Sequence, residues 1–287
     1  MALILSADRT CDLSDALREK YDVHTIPFHV MLENKEYLDG VDIVPEDIYR
    51  VYYDRHVLPK TSAINTGEYL EYFRPFVEQG HEVVHFNLGS ALSSSHQNCV
   101  AAAAELGHVH VIDGRNLSSG VGLQVLDAGE MIKAGKTGEE IKAYFDEHHG
   151  CYHGSFVVDT LEFLRAGGRC SAVAAFSASL LNIRPGIEVN NDDGSMTVGK
   201  KYRGTFEKVV LKYVKEKLAR YDDIRTDKIF ITDSGGLDDS FRDEVEAVIR
   251  ETLPFEQVYR STASCTISCH CGPRTLGILF VTENPSK

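Results

Sequence analysis

The chain has 287 residues, 43% of them hydrophobic and 25% charged, and 43 Asp and Glu against 30 Lys and Arg give a net charge of −13. This is the composition of a globular protein long enough for two domains, and its acidity opposes nucleic acid and anionic membrane surfaces. Lys200, Lys201 and Arg203 form the only tight basic cluster, too small to reverse that exclusion, so no nucleic-acid partner is expected.

The greasiest stretch, "SAVAAFSASLL" at 171–181, falls short of the roughly 20 apolar residues that a membrane span requires. "MALILSADRT" lacks the basic flank of a signal peptide. Seven cysteines, an odd number with irregular spacing, do not form a disulfide framework. Together these features predict a cytoplasmic protein with no integral membrane association.

Up to about residue 160, strands and helices alternate. "ALILSAD" reads as a strand, and Asp12 or Ser14 is placed to cap a short helix running to Lys20. "HTIPFHVML" reads as a second strand. In "PEDIYRVYYDR" the apolar residues fall at helical spacing behind Pro45, a residue suited to a first turn. A helix over 67–79, a strand over 82–88, an alanine-rich helix and the strand "HVHVID" follow, then helices around 120–134 and 138–148. Strands separated by helices of this length predict a doubly wound parallel sheet.

From "SFVVDTLEFLRAGGR" onward the pattern changes. "IRPGIEVNNDDGSMTVGKKYR" reads as two strands joined at an Asp-Gly turn. Helices over 205–220 and 239–253 carry apolar faces, and "KIFITDSGG", "FEQVYRS" and "TLGILFV" read as strands. The expected fold is therefore α/β and two-lobed: an N-terminal lobe over 1–155, and a C-terminal α+β lobe with a mixed sheet over 156–287.

Three motifs suggest chemistry that their context does not support. "HEVVH" at 81–85 matches a zinc-protease pattern, but that site needs a helix. On the strand that Val83, Val84 and Phe86 favour, His81 and His85 would stand about 13 Å apart. "GEMIKAGKT" at 129–137 misses P-loop spacing by one residue, and "TGEE" within it reads as a capping box. "CTISCHC" at 265–271, read as extended chain, lacks a second ligand pair, so no metal is expected.

"FNLGSALSSSHQNCVAAAAEL" at 86–106 places Ser90, Ser93, Ser94 and Ser95 where a strand hands over to a helix. One hydroxyl suffices for an N-cap. Four, at the carboxyl end of a strand, fit an anion seat better. A nucleophile is the competing reading; no G-x-S-x-G surrounds these serines, and adjacent His96 diverges from Ser95 on a helix. His270 is the better candidate to meet them. "PKTSAINTG" at 59–67 offers Thr61 and Ser62 as a second hydroxyl cluster before a helix.

The ordered set "ADRTCDLS", "PKTS", "LSSSHQNCVAA", "DTLEFLRAGGR", "LLNIRPGI", "KKYRG" and "HCGPRTLGI" resembles the DegV family of bacterial fatty-acid-binding proteins, over nearly the full length. The resemblance implies a non-catalytic acyl carrier that holds a long-chain fatty acid such as palmitate, stearate or oleate. A separate ATP-dependent fatty acid kinase would phosphorylate the carboxylate that this carrier presents. Thr61, Ser62, Ser93, Ser95 and His270 would hold the carboxylate, while Arg169 and Arg203 would mark the cleft and the kinase-facing surface. No further cofactor is implied. The alternative is a hydrolase or transferase using Ser93 and His270 across the cleft.

The chain departs from the family's usual pattern at Ser94 (usually Gly), Ala63 and Ile64 (usually Gln-Pro), Arg9 (usually Ser) and Arg274 (usually Gly). A buried acyl chain of about sixteen carbons contributes on the order of 10 kcal/mol gross, and its carboxylate must be hydrogen-bonded once it loses water.

Overall fold

A computed structural model describes residues 2–175 and 183–285. Parts of "SAVAAFSASLL" and "LLNIRPGI" lie outside the described residues.

β1 (Leu3–Asp8), α1 (Asp15–Tyr21) and β2 (Val23–Ile26) form a parallel βαβ unit, with Leu5 opposite Val23 and Asp8 opposite Ile26. Of the two candidate caps, Ser14 caps α1, its hydroxyl accepting from Leu17 N–H at 3.4 Å. The single strand expected over 24–32 is two strands. Pro27 has no N–H to give a ladder, and beyond it the chain enters a separate antiparallel sheet of β3 (His29–Leu32) and β4 (Lys35–Leu38). α2 (Pro45–Arg55) follows, and then β5 (Lys60–Ser62) pairs with β3, giving the order β4-β3-β5.

α3 (Thr66–Glu78) opens on a capping box of Asn65 and Glu68 and leads to β6 (Glu82–Asn87), α4 (Ser95–Leu106) and β7 (Val109–Asp113). β6 lies parallel to both β1 and β7, which completes the first sheet in the order β2-β1-β6-β7. α5 (Ser119–Lys133) and α6 (Gly138–His148) follow, the latter opened by the expected Thr137–Glu140 capping box.

The remaining strands build a second sheet. They are β8 (Tyr152–Val158), then after α7 (Glu162–Gly167) β9 (Ile183–Val189) and β10 (Met196–Arg203). After α8 (Phe206–Leu218) comes β11 (Lys228–Asp233), after α9 (Asp239–Thr252) β12 (Gln257–Thr262), and after α10 (Cys265–Cys271) β13 (Thr275–Val281). Their order is β10-β9-β8-β13-β11-β12, antiparallel except for β11 beside β12. The fold is thus α/β, a four-stranded parallel sheet with a separate mixed six-stranded sheet.

α5 joins the two sheets. Every residue from Ser119 to Gly129 is buried, and the helix touches β1 and β6 on one side, β8 and β13 on the other. Such all-round burial fits a sequence with no charged residue between 119 and 126. Gly122 is required by the closeness of the packing, since a Cβ there would lie 2.7 Å from the Cys11 carbonyl oxygen. α8 and α9 cover the other face of the second sheet with Phe206, Val210, Tyr213, Val245 and Ile249, each worth roughly 1.5–3 kcal/mol of burial. All seven cysteines are free and buried.

Candidate functional site

The first sheet positions the site through the carboxyl ends of β1, β6 and β7. Asp8, the last residue of β1, is fully buried and gathers four donors. Tyr69 O–H donates at 2.7 Å, His85 Nε2 lies at 3.2 Å, Asn87 Nδ2 at 3.3 Å, and Leu88 N–H at 2.8 Å. His85 Nδ1 pairs in turn with the Ser6 hydroxyl at 2.8 Å. Ser6, His85 and Asp8 have the composition of a catalytic triad, but all three are sealed from solvent and none lines the cavity described below. Their role is to fix the start of the loop after β6. His81, the other histidine of "HEVVH", bonds Ala2 N–H at the opposite end of the strand, so the motif lies in β6 as expected.

The serines of that loop have separate tasks. Ser90 closes the turn onto Asp113, its N–H at 2.9 Å and its hydroxyl at 2.5 Å. Ser94 precedes α4 but its side chain makes no cap bond. At φ −78 and ψ 0 it needs none of a glycine's freedom. Ser95 is fully buried and accepts from Ile64 N–H at 3.2 Å, while its Oγ lies 3.1 Å from Ser93 Oγ. Ser93 Oγ also accepts from Ser95 N–H at 3.2 Å. With Ser95 donating to Ser93, the series Ile64 N–H, Ser95, Ser93 leaves the Ser93 hydroxyl proton free to point into open space. A proline at 64 would have no N–H with which to begin this series.

That open space is a cavity of about 850 Å³ including its mouth, lined by Thr61, Ser62, Ser93, Arg169 and His270 among others. Phe28, Leu88, Leu92, Leu117, Phe156 and Met196 supply apolar wall. Its mixture of hydrocarbon with polar groups is that of a small-molecule site. Ser95 stands behind Ser93 and does not itself line the cavity.

His270 comes from "CTISCHC", which is the helix α10 and not extended chain. Asp39 makes this short helix possible by accepting from Cys265 N–H and Thr266 N–H, both at 2.8 Å, at its N-terminus. Among the described residues no group of three or more His, Cys, Asp or Glu is arranged to hold a metal ion. His270 Nε2 lies 2.8 Å from Thr61 Oγ1, bringing the β5 hydroxyl and the α10 imidazole together. Burial, with a smaller push from the Arg169 guanidinium, lowers the His270 pKa to about 4. The ring is therefore neutral at pH 7, and its Nδ1 is buried without a partner. No base is hydrogen-bonded to Ser93 among the described residues, and no carboxylate orients His270.

Gly167, at the end of α7, lies against that ring, and a Cβ there would stand 2.2 Å from Nδ1. Gly167→Ala is therefore expected to displace His270 and break its bond to Thr61. A change in the His270 imidazole resonances in NMR, with the circular dichroism spectrum retained, checks this.

Arg169 is exposed at the mouth, held by the carbonyls of Leu92 at 3.3 Å and Gly167 at 2.8 Å. Ser62 is likewise exposed at the rim. Arg203 is exposed at the end of β10 and is not part of the cavity wall. Arg274 takes up a left-handed backbone at φ 54, the region a glycine occupies most readily. Its guanidinium bonds Asp159 at 3.0 Å and Glu207 at 2.5 Å, and lies 5.2 Å from the centre of the Phe206 ring. Asp159 also holds Arg184 at 2.6 Å, so both arginines converge on one carboxylate. The sequence marks Arg274 as a departure and holds Asp8, Asp159 and Arg184 within the quoted motifs, but it gives no sign of their partners, which are distant in the chain. No helix among the described residues is long and apolar enough to cross a membrane.

Comparison with known proteins agrees with this architecture. A family model described as "uncharacterised protein, DegV family" matches residues 4–283. A DegV domain-containing protein of Caldanaerobacter subterraneus subsp. tengcongensis is 29% identical, with 97% of this chain and 98% of the relative covered. Among solved structures, a fatty-acid-binding DegV family protein from Thermus thermophilus superposes with a TM-score of 0.87 at 27% identity, covering 98% of this chain and 100% of the other. A stearic-acid-binding protein from Eubacterium ventriosum gives 0.84 at 26% identity, with 99% of each chain covered. With its sheet order, its cavity and a family match across nearly its whole length, the chain belongs to the DegV family.

Proposed function

We propose that the protein binds a long-chain fatty acid in this cavity and presents the carboxylate to a partner kinase that forms the acyl phosphate. The observation that carries the reading is that Thr61, Ser93 and His270 line one cavity, Thr61 bonded to His270, together with the side chains of Phe28, Leu88, Leu92, Leu117, Phe156 and Met196. Hydroxyl donors compensate a desolvated carboxylate without enclosing it in a fixed cation. The solved relatives named as fatty-acid-binding or stearic-acid-binding support the same ligand class. Arg169 at the mouth is placed to meet phosphate oxygens, and Arg203 belongs to the surface offered to the kinase. Ser62 contributes at the rim, and Ser95 acts by orienting Ser93.

The carrier role is supported over hydrolysis by the pairing of the groups. Ser93 is joined to Ser95 and His270 to Thr61, so the nucleophile–base–carboxylate relay of acyl-transfer enzymes is not assembled.

Native mass spectrometry of the purified protein is expected to show a bound species with the mass of a long-chain fatty acid, lost on organic extraction. Protein that carries nothing and also fails to bind added palmitate or oleate would end this reading. Ser93→Ala removes a charge-assisted hydrogen bond worth roughly 1.5–3 kcal/mol, so affinity falls about one to two orders of magnitude. Thr61→Ala behaves similarly, and the double variant departs from additivity because both hydroxyls serve one anion. Unchanged affinity in Ser93→Ala, measured by calorimetry, removes it from the site.

A further inference from the structure

The cavity wall beyond Thr61 and Ser93 carries several more hydroxyls, nearly all engaged within the protein. Ser118 donates to Asp12, Thr232 pairs with Ser119, and Ser155 pairs with Tyr213. Ser234 and Thr275 donate to main-chain carbonyls of α10 and the turn after it. Asp233, on the same wall, is matched by the Arg242 guanidinium through two bonds of 2.8 and 2.9 Å. Thr266 differs. It lines the cavity at 2% exposure, and its Oγ1 is buried with no hydrogen-bond partner. Valine would fill the same shape with no polar atom to satisfy.

Buried hydroxyls in folded proteins are nearly always paired. An unpaired one on a residue that lines a cavity marks a place where an occupant can supply the partner. Thr266 also lies four residues before His270 on α10, which places both on one helix face about 6 Å apart along the axis. In the acyl-carrier reading His270 marks the carboxyl end of the ligand, so Thr266 faces the first carbons of the chain and not its methyl end.

We infer that the cavity takes acyl chains oxygenated near the carboxyl end, β-hydroxy fatty acids being the class, with Thr266 Oγ1 as hydrogen-bond partner of the chain hydroxyl. This rests on the acyl-carrier reading and narrows its substrate.

The test is to titrate palmitate and β-hydroxypalmitate into the wild-type protein, Thr266→Val and Thr266→Ser. Wild type is expected to prefer the hydroxy acid, and Thr266→Val to lose about tenfold in affinity for it, the equivalent of 1.4 kcal/mol. Palmitate affinity should hold or rise in Thr266→Val, and Thr266→Ser should keep the preference. Equal binding of the two acids by wild type overturns the inference without recourse to any variant. So does a Thr266→Val that shifts both acids alike, since the hydroxyl then serves a cavity water or the fold. Failure of wild type to bind palmitate and the hydroxy acid alike would instead remove the acyl-carrier reading itself.

Discussion

Asp8→Ala is expected to destabilise the protein by about 4 kcal/mol or more, since each buried donor left without an acceptor costs roughly 1–3 kcal/mol. Tyr69, His85 and the Leu88 N–H lose their acceptor together, and Asn87 keeps only the Tyr69 hydroxyl. Domains of ordinary stability have only about 5–15 kcal/mol to lose, so urea denaturation should show a large fall in midpoint or no folded baseline. Asp8→Asn separates charge from geometry. Its amide oxygen can keep Tyr69 and His85, while its NH₂ must face the Leu88 N–H, and the loss should be intermediate. The effect should reach the cavity, because Leu88 is both the anchored residue and part of the wall. An Asp8→Ala protein of native stability would show that this network is not what holds the loop after β6.

Asp12→Asn is expected to change the pH dependence of stability with a definite sign. Asp12 is buried, and its carboxyl accepts from the Ser118 hydroxyl at 2.5 Å and from Ser264 N–H at 3.0 Å. Burial pushes its pKa up to about 7 from 3.8, partly opposed by the hydrogen bonds of Ser118 and Ser264. Folding therefore favours the protonated form. The native state is not penalised below pH 3.8 and loses stability as pH rises from there to about 7. The amide of Asp12→Asn has the same shape and cannot ionise. Relative to wild type, the variant should gain stability between pH 4 and pH 8, on the order of 4 kcal/mol for a shift of about three pH units. Urea midpoints for both proteins at the two pH values measure the difference, in which the other titrating groups cancel. Parallel profiles would show that Asp12 keeps its charge at little cost. Ser118 lines the cavity and Ser264 precedes α10, so the same carboxyl braces two walls of the site.

Elements with strong periodicity were legible in the sequence. β6 with its valines, α8 with its apolar stripe and the parallel sheet implied by alternating strands and helices lie where they were expected. The short pieces were not. β3, β4 and β5 hold only three or four residues each, too few for a pattern to show. α10 is less than two turns of Cys, Thr, Ile, Ser and His, and its helical state depends on Asp39, 226 positions away. The site divides in the same way. Ser93 and Thr61 stood out because hydroxyls cluster locally before helices. Their arrangement did not, because Thr61 and His270 are 209 residues apart and meet only through the packing of α10 against β5. Thr266 gave no signal at all, since a threonine is ordinary until its hydroxyl is found without a partner.

The seven thiols have a further consequence. All are shielded from solvent, and burial pushes each of them away from the thiolate that reacts with electrophiles. Native protein should thus resist iodoacetamide, while each region that opens exposes the sulfurs it holds. Because the thiols are spread from the turn after β1 to α10, peptide mapping of the alkylated sites would report which region opened. The chain carries a built-in clock for its own breathing. Cys271, on the cavity wall, should slow selectively when a ligand fills the space beside it.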